Sequence, residues 1–68
     1  MINTSKIKGR LAEFGYTQAD VAKELQISQS TANQKINNVR DMSLDEAEKL
    51  SHMLKIDSGE FGVFFFAG

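Results

Sequence analysis

The chain has no cysteine, no proline and a single histidine among its 68 residues. Without thiols it forms no disulfide. One histidine and no cysteine do not supply the ligand set of a structural zinc site, so zinc does not explain its stability. A domain of about 60 residues hides only about 60% of the surface that its unfolded chain exposes. Helix packing must therefore supply the stability, with dimerisation as a further source.

Long apolar segments are missing as well. The longest run, residues 63–67, is far shorter than the roughly 20 apolar residues that a membrane span needs. The first residues also lack the apolar stretch of a signal peptide. We therefore expect one cytoplasmic domain over residues 1–68, with no membrane partner and no second domain for sensing a ligand.

Charge is nearly balanced overall, at −1, but it is unevenly distributed along the chain. Residues 1–40 contain six basic and three acidic residues, whereas residues 41–68 contain two basic and six acidic ones. A net charge near zero counts against a nucleic-acid binder, which is usually basic on one face. The basic first half keeps that role open, because an electrostatic field acts locally.

Short helices dominate the pattern of apolar residues. Spacings of three and four predict helices over about 5–14, 18–25, 29–37 and 44–55. The side chains expected to face the core are Ile7, Leu11, Phe14, Val21, Ala22, Leu25, Ala32, Ile36, Leu44, Ala47, Leu50 and Leu54.

Capping residues mark the ends of these helices. Gly15 suits the left-handed position that ends the first helix. Ser28 is an N-cap for the third helix. Thr17 with Asp20 and Ser43 with Glu46 predict capping boxes for the second and fourth.

The tail, over about 57–68, is rich in phenylalanine. The segment Phe61–Phe66 predicts a short strand or an extended tail. In a strand Phe64 and Phe66 would face one side and Phe65 the other. The expected fold is therefore an all-α compact bundle of four to five short helices, closed by a short C-terminal strand or extended aromatic tail.

The second and third helices carry the functional signal. They are joined by a three-residue turn and predict a helix-turn-helix over about 17–37, whose second helix can enter a major groove. Around the third helix, Ala32 and Ile36 face the core and Gln34 points the opposite way. The polar residues that flank Gln34 or project from the leading end are Gln29, Ser30, Thr31, Asn37 and Asn38.

The exposed face of this helix consists of amides and hydroxyls and has no carboxylate to repel phosphate. Amides pair with adenine N6 and N7, and hydroxyls reach several base edges. A solvated surface helix more usually carries Glu and Lys, which favour helix more than Ser, Thr and Asn do. The composition therefore favours base recognition over a solvated face.

Residues from about 5 to 56 resemble the lambda-repressor-like helix-turn-helix family, which includes phage repressors, Cro proteins and XRE-type regulators. The segment Tyr16–Thr31 carries the resemblance: Thr-Gln, two variable residues, an apolar residue and Ala, then an apolar-x-apolar turn and a Ser cap. The Lys-Ile-Asn ending of the third helix and the aromatic tail are similar to short phage repressor-like proteins.

The resemblance implies that Gln18 binds a backbone phosphate and braces Gln29, which reads a base. It implies base or phosphate contacts from the rest of the third helix and phosphate contacts from the loop that follows. The candidate DNA-binding residues are Gln18, Gln29, Ser30, Thr31, Asn33, Gln34, Asn37, Asn38 and Arg40.

Two residues depart from the family pattern. Gln26 stands where the family most often has glycine, so the turn must hold a non-glycine residue in a strained or left-handed conformation. Lys35 occupies a position that is often apolar.

The sequence supports catalysis and metal binding less than it supports DNA binding. His52 has no orienting acid and nucleophile to act with. The acidic residues between 41 and 48 span the start of a helix, where carboxylates complement the helix dipole.

We therefore expect a non-enzymatic, sequence-specific regulator of transcription, of the phage or prophage repressor or Cro type. It would bind a double-stranded DNA operator as a symmetric homodimer, with no cofactor, metal or small-molecule substrate. The alternative is a protein-interaction module on the same fold, antitoxin-like or anti-repressor-like, whose acidic second half docks a basic protein.

Overall fold

A computed structural model describes residues 1–66 and gives them an all-α fold. The five helices are α1 (Thr4–Phe14), α2 (Gln18–Leu25), α3 (Gln29–Ile36), α4 (Leu44–Met53) and α5 (Phe61–Phe65). The first four lie where the sequence predicts them, with ends that differ by two residues at most. The predicted all-α bundle is confirmed.

Side-chain caps start the first four helices. The Asn3 side chain accepts a hydrogen bond from the backbone N–H of Lys6 and so caps α1. Both predicted capping boxes are present, with Thr17 and Asp20 at α2 and with Ser43 and Glu46 at α4. Local sequence therefore fixes where the helices begin.

Each of the first four helices is followed, directly or after one residue, by a residue in the left-handed conformation and then by an apolar residue. At each end, the N–H of the apolar residue donates to the carbonyl five positions earlier, at 2.8–3.0 Å. This is the Schellman arrangement, which satisfies carbonyls that the helix leaves open. The left-handed residues are Gly15, Gln26, Asn38 and Lys55. The left-handed conformation predicted for Gln26 is confirmed, with φ of 58°.

The core lies between α1, α2, α3 and α4, and α5 closes it against α1. α2 packs on α3 and α4, while α1 packs on α3 and α5. The largest fully buried side chains are Ile7, Val21, Ile36, Leu50 and Leu54. Because Ile36 and Ala32 are both fully buried, α3 is held with one face against the core and the opposite face outward.

Two side chains that the sequence assigns to the core lie at the surface. Phe14, the last residue of α1, is 37% exposed and packs edge-on against Tyr16, with ring centroids 6.0 Å apart. Leu44, the first residue of α4, is 62% exposed. Both continue an apolar stripe to the end of a helix, where the other elements no longer cover it.

The predicted C-terminal strand is wrong, because Phe61–Phe65 forms α5. Successive residues of a strand face opposite sides, whereas in a helix they lie only about 100° apart, so Phe64 and Phe65 both face the core and are buried. The Phe61 ring stacks on Phe65 at 4.7 Å between centroids, and Phe66 is 68% exposed. The rest of the predicted tail, residues 67 and 68, lies outside the described residues.

Candidate nucleic-acid interface

The α2–turn–α3 unit presents the polar face that the sequence predicts for the third helix. Ser28 caps α3 through the N–H of Thr31, and its hydroxyl also donates to Thr31 Oγ1 at 2.9 Å. Gln29, Ser30 and Asn33 are exposed, and Gln34 is half-buried. The outward face of α3 therefore consists of amide and hydroxyl groups on a helix whose opposite side is fixed in the core.

Gln18, the first residue of α2, contacts a residue of α3 that differs from the one expected. Its Oε1 accepts a hydrogen bond from Asn33 Nδ2 at 2.8 Å. Asn33 lies one helical turn beyond Gln29 on the same side of α3, and the brace between Gln18 and Gln29 stays a prediction. The side chain of Gln29 is left at the exposed leading end of the helix.

The end of α3 is tied to the N-terminal segment. The side chain of Asn38 accepts from the N–H of Ile2 and donates to its carbonyl, both at 2.9 Å. Thr4 Oγ1 donates to the Ile36 carbonyl at 2.7 Å, and Asn37 Nδ2 donates to the Asn33 carbonyl at 2.9 Å. Helix α3 ends at Ile36, so Asn37 is its C-cap and not its last residue. A phosphate contact by the Asn38 side chain would compete with its bonds to Ile2.

Lys35 and Glu46 form an ion pair between α3 and α4. Lys35 Nζ lies 2.6 Å and 2.7 Å from the two carboxylate oxygens, and the two side chains are only 14% and 15% exposed. Burial by itself would raise the pKa of Glu46, but the hydrogen bonds from Lys35 and Ser43 outweigh it and hold the pKa below its ordinary value. The pair explains how a lysine stands where the family often has an apolar residue.

The positive charge of residues 1–40 is only partly available to a ligand. Lys35 is held by Glu46, and Arg10 donates to the carbonyls of Leu54 and Lys55 while lying 3.8 Å from Glu60. Arg10 thus ties α1 to the end of α4. Arg40, which follows α3, is exposed. The candidate interface is polar rather than strongly basic.

Over residues 1–66, no three His, Cys, Asp or Glu side chains come together in a group that would hold a metal ion. No helix in that range is long and apolar enough to cross a membrane.

Sequence reasoning located the residues of the α3 face but missed three contacts that hold it. These are the Gln18–Asn33 bridge, the Lys35–Glu46 pair and the bonds of Asn38 to Ile2. Only the second had a signal in the sequence, since Lys35 departs from an apolar pattern. The Gln18–Asn33 bridge depends on how the consecutive helices α2 and α3 cross, and the Asn38–Ile2 bonds join two segments that lie outside the helices.

A protein-family model described as helix-turn-helix matches residues 7–61. No curated protein and no protein of solved structure matches the chain. The family match covers most of the described fold, from within α1 to the first residue of α5, and includes every candidate residue from Gln18 to Arg40. The chain therefore belongs to the helix-turn-helix family, of the XRE or lambda-repressor-like type, and is a DNA-binding regulator.

Proposed function

We propose that the protein is a sequence-specific regulator of transcription that reads the major groove of double-stranded DNA with the outward face of α3. The observation that carries the proposal is the orientation of this helix. Ala32 and Ile36 are fully buried, so the opposite face points outward. That face offers amides and hydroxyls and has no carboxylate.

Base recognition is assigned to the leading end and middle of α3. Gln29 and Ser30 lie exposed in the first turn, and Gln34 lies on the side opposite the buried residues. A glutamine amide donates to N7 and accepts from N6 of adenine, while a serine hydroxyl suits several base edges. Thr31 is a weaker candidate, because its hydroxyl oxygen already accepts from Ser28.

Phosphate contacts are assigned to residues on both sides of α3. Gln18 stands at the start of α2, and exposed Arg40 follows the recognition helix. Contacts of this kind fix the register of a protein on the duplex without reading its sequence. With Arg10 and Lys35 engaged within the fold, Arg40 becomes the main cationic candidate near the end of α3.

A symmetric homodimer of the phage repressor or Cro type completes the proposal. One recognition helix reads only a few base pairs, and two-fold dimers solve this with half-sites about 34–36 Å apart. We assign part of the dimer interface to the C-terminal segment. Phe66 is 68% exposed and, with exposed Met1 and Leu44, borders one open surface groove of about 400 Å³. A DNA-binding regulator of this type would act in the cytoplasm.

The second candidate is a protein-interaction module whose acidic half docks a basic protein. Six of the eight charged residues in 41–68 are acidic, which favours such a partner. The two functions differ in whether the chain binds DNA. DNA binding releases counterions, so log affinity falls with log salt at a slope of about −0.9 per phosphate contacted.

The test is a random-site selection with the purified full chain, followed by binding to the enriched DNA at several salt concentrations. The proposal predicts an enriched site with two related halves and a steep loss of affinity as salt rises. No enrichment, together with salt-insensitive binding, would reject DNA reading and leave the protein-interaction module.

A further inference from the structure

The bridge between Gln18 and Asn33 controls which part of the Gln18 amide faces outward. Asn33 Nδ2 donates to Gln18 Oε1 at 2.8 Å. The oxygen and nitrogen of an amide point to different sides of the same planar group. With the oxygen turned toward Asn33, the Nε2 group of Gln18 is turned away from it, and its N–H donors are presented instead of the carbonyl.

Both ends of the bridge are attached to backbone that other contacts fix. Gln18 directly follows Thr17, whose capping box with Asp20 sets the first turn of α2. The carbonyl of Asn33 accepts a hydrogen bond from Asn37 Nδ2 at 2.9 Å. The two backbone positions that the bridge joins are therefore fixed, and the hydrogen bond from Asn33 is what sets the orientation of the Gln18 amide.

An amide held in this way suits a phosphate. Phosphate oxygens are acceptors only, so a side chain that presents N–H groups binds them, and one that presents a carbonyl is repelled. Asn33, in contrast, directs one of its two amide N–H groups at Gln18, so the orientation of its amide is set by α2 and not by a base edge.

We propose that Asn33 is a positioning residue, which holds the Gln18 amide with its donors toward a DNA phosphate and does not itself read a base. The inference rests on the proposed function, because it requires α2 and α3 to face DNA. The inference also assigns base reading at the start of α3 to Gln29, which takes no part in the Gln18–Asn33 hydrogen bond.

A double-mutant cycle with Gln18→Ala and Asn33→Ala tests this assignment on the selected site and on random DNA. Asn33→Ala is expected to weaken binding to both DNAs by the same factor, about 3- to 10-fold, because a phosphate contact carries no sequence information. In the Gln18→Ala background, Asn33→Ala should have no further effect. A control cycle of Gln18→Ala with Gln34→Ala, which lack this hydrogen bond, should be additive.

An additive Gln18–Asn33 cycle, or a loss on the selected site alone with changed preference at one base pair, would overturn the assignment and make Asn33 a base-reading residue. The midpoint of urea unfolding should change little in either single variant, which separates positioning from a folding defect. If the wild-type chain itself shows neither site selection nor salt dependence, it is the proposed function that fails. An additive cycle in a chain that does bind DNA overturns this inference alone.

Discussion

At the residue scale, glycine substitutions at the left-handed positions after the helices measure how much backbone strain and side-chain contacts each contribute to stability. Gln26, Asn38 and Lys55 have φ of 58°, 62° and 52°, where a Cβ costs about 1 kcal/mol that glycine avoids. We expect Gln26→Gly and Lys55→Gly to raise the free energy of unfolding by about 0.5–1 kcal/mol, measured by urea titration.

Asn38→Gly is the matched control, since it relieves the same strain but removes the bonds to Ile2. It should lower the free energy of unfolding by about 1–2 kcal/mol. A stabilisation by Asn38→Gly as large as that by Gln26→Gly would show that those bonds contribute nothing.

Arg40 provides the test of phosphate contacts at the residue scale. Arg40→Ala should weaken binding to selected and random DNA alike and reduce the magnitude of the salt slope by about 1, in affinities measured across a salt series. Lys49→Ala is the control for loss of one charge, since Lys49 lies on α4 beside Asp45. An unchanged slope in Arg40→Ala would place Arg40 away from the DNA.

At the element scale, the Lys35–Glu46 pair holds the recognition helix to α4. Lys35→Met leaves the mostly buried Glu46 carboxylate without its cation and should lower the free energy of unfolding by about 1–3 kcal/mol. Lys49→Met breaks the more exposed pair with Asp45, 3.5 Å apart, and should cost less than about 0.5 kcal/mol. Equal costs in urea titrations would show that burial of the Lys35–Glu46 pair adds nothing.

The same pair makes stability depend on pH. The pKa of Glu46 is lower in the folded chain than its ordinary value, so the stabilisation is full above the ordinary value. It is lost as the pH falls through the lowered folded value. Lys35→Met should remove much of this acid sensitivity from the unfolding curve, and an unchanged pH profile would contradict that source.

Helix positions show what can be inferred from sequence and what cannot. Thr17, Ser28 and Ser43 are local signals, so they predict where α2, α3 and α4 begin. The prediction that Phe14 and Leu44 are buried was wrong, because the spacing of apolar residues does not show where neighbouring helices stop. The predicted strand in the tail was wrong because a run of phenylalanines favours a strand locally, whereas packing of Phe64 and Phe65 on the core favours a helix.

At the scale of the whole molecule, the C-terminal segment is divided between the core and the surface. Phe64 and Phe65 are buried, so deleting the segment would damage the fold, whereas Phe66 and Val63 are exposed. Phe66→Ser should weaken self-association by about tenfold or more, because a Phe contributes about 1.5–3 kcal/mol when fully buried. Sedimentation velocity over a range of concentrations measures this change.

Val63→Ser, in the adjoining helix α5, is the control, since Val63 is 50% exposed and does not border the groove beside Phe66. It should leave self-association unchanged. A Phe66→Ser chain that is folded and associates like the wild type would remove the C-terminal segment from the dimer interface.

The candidate DNA-binding face was predictable because it depends on one helix and its register. The positions of Ala32 and Ile36 give the buried side of α3, and the polar residues opposite them follow from helical geometry. The Gln18–Asn33 bridge and the Asn38–Ile2 bonds join residues that are 15 and 36 positions apart, and no local pattern specifies them.

The affinity of Gln34→Ala for the selected site, compared with its affinity for random DNA, tests base reading by α3 most directly. Gln34 lies opposite the buried face of α3 and contributes no charge, so its removal should leave non-specific binding nearly intact. We expect a loss of about 1–3 kcal/mol on the selected site and far less on random DNA. Equal losses on the two DNAs would contradict base reading by this face of α3.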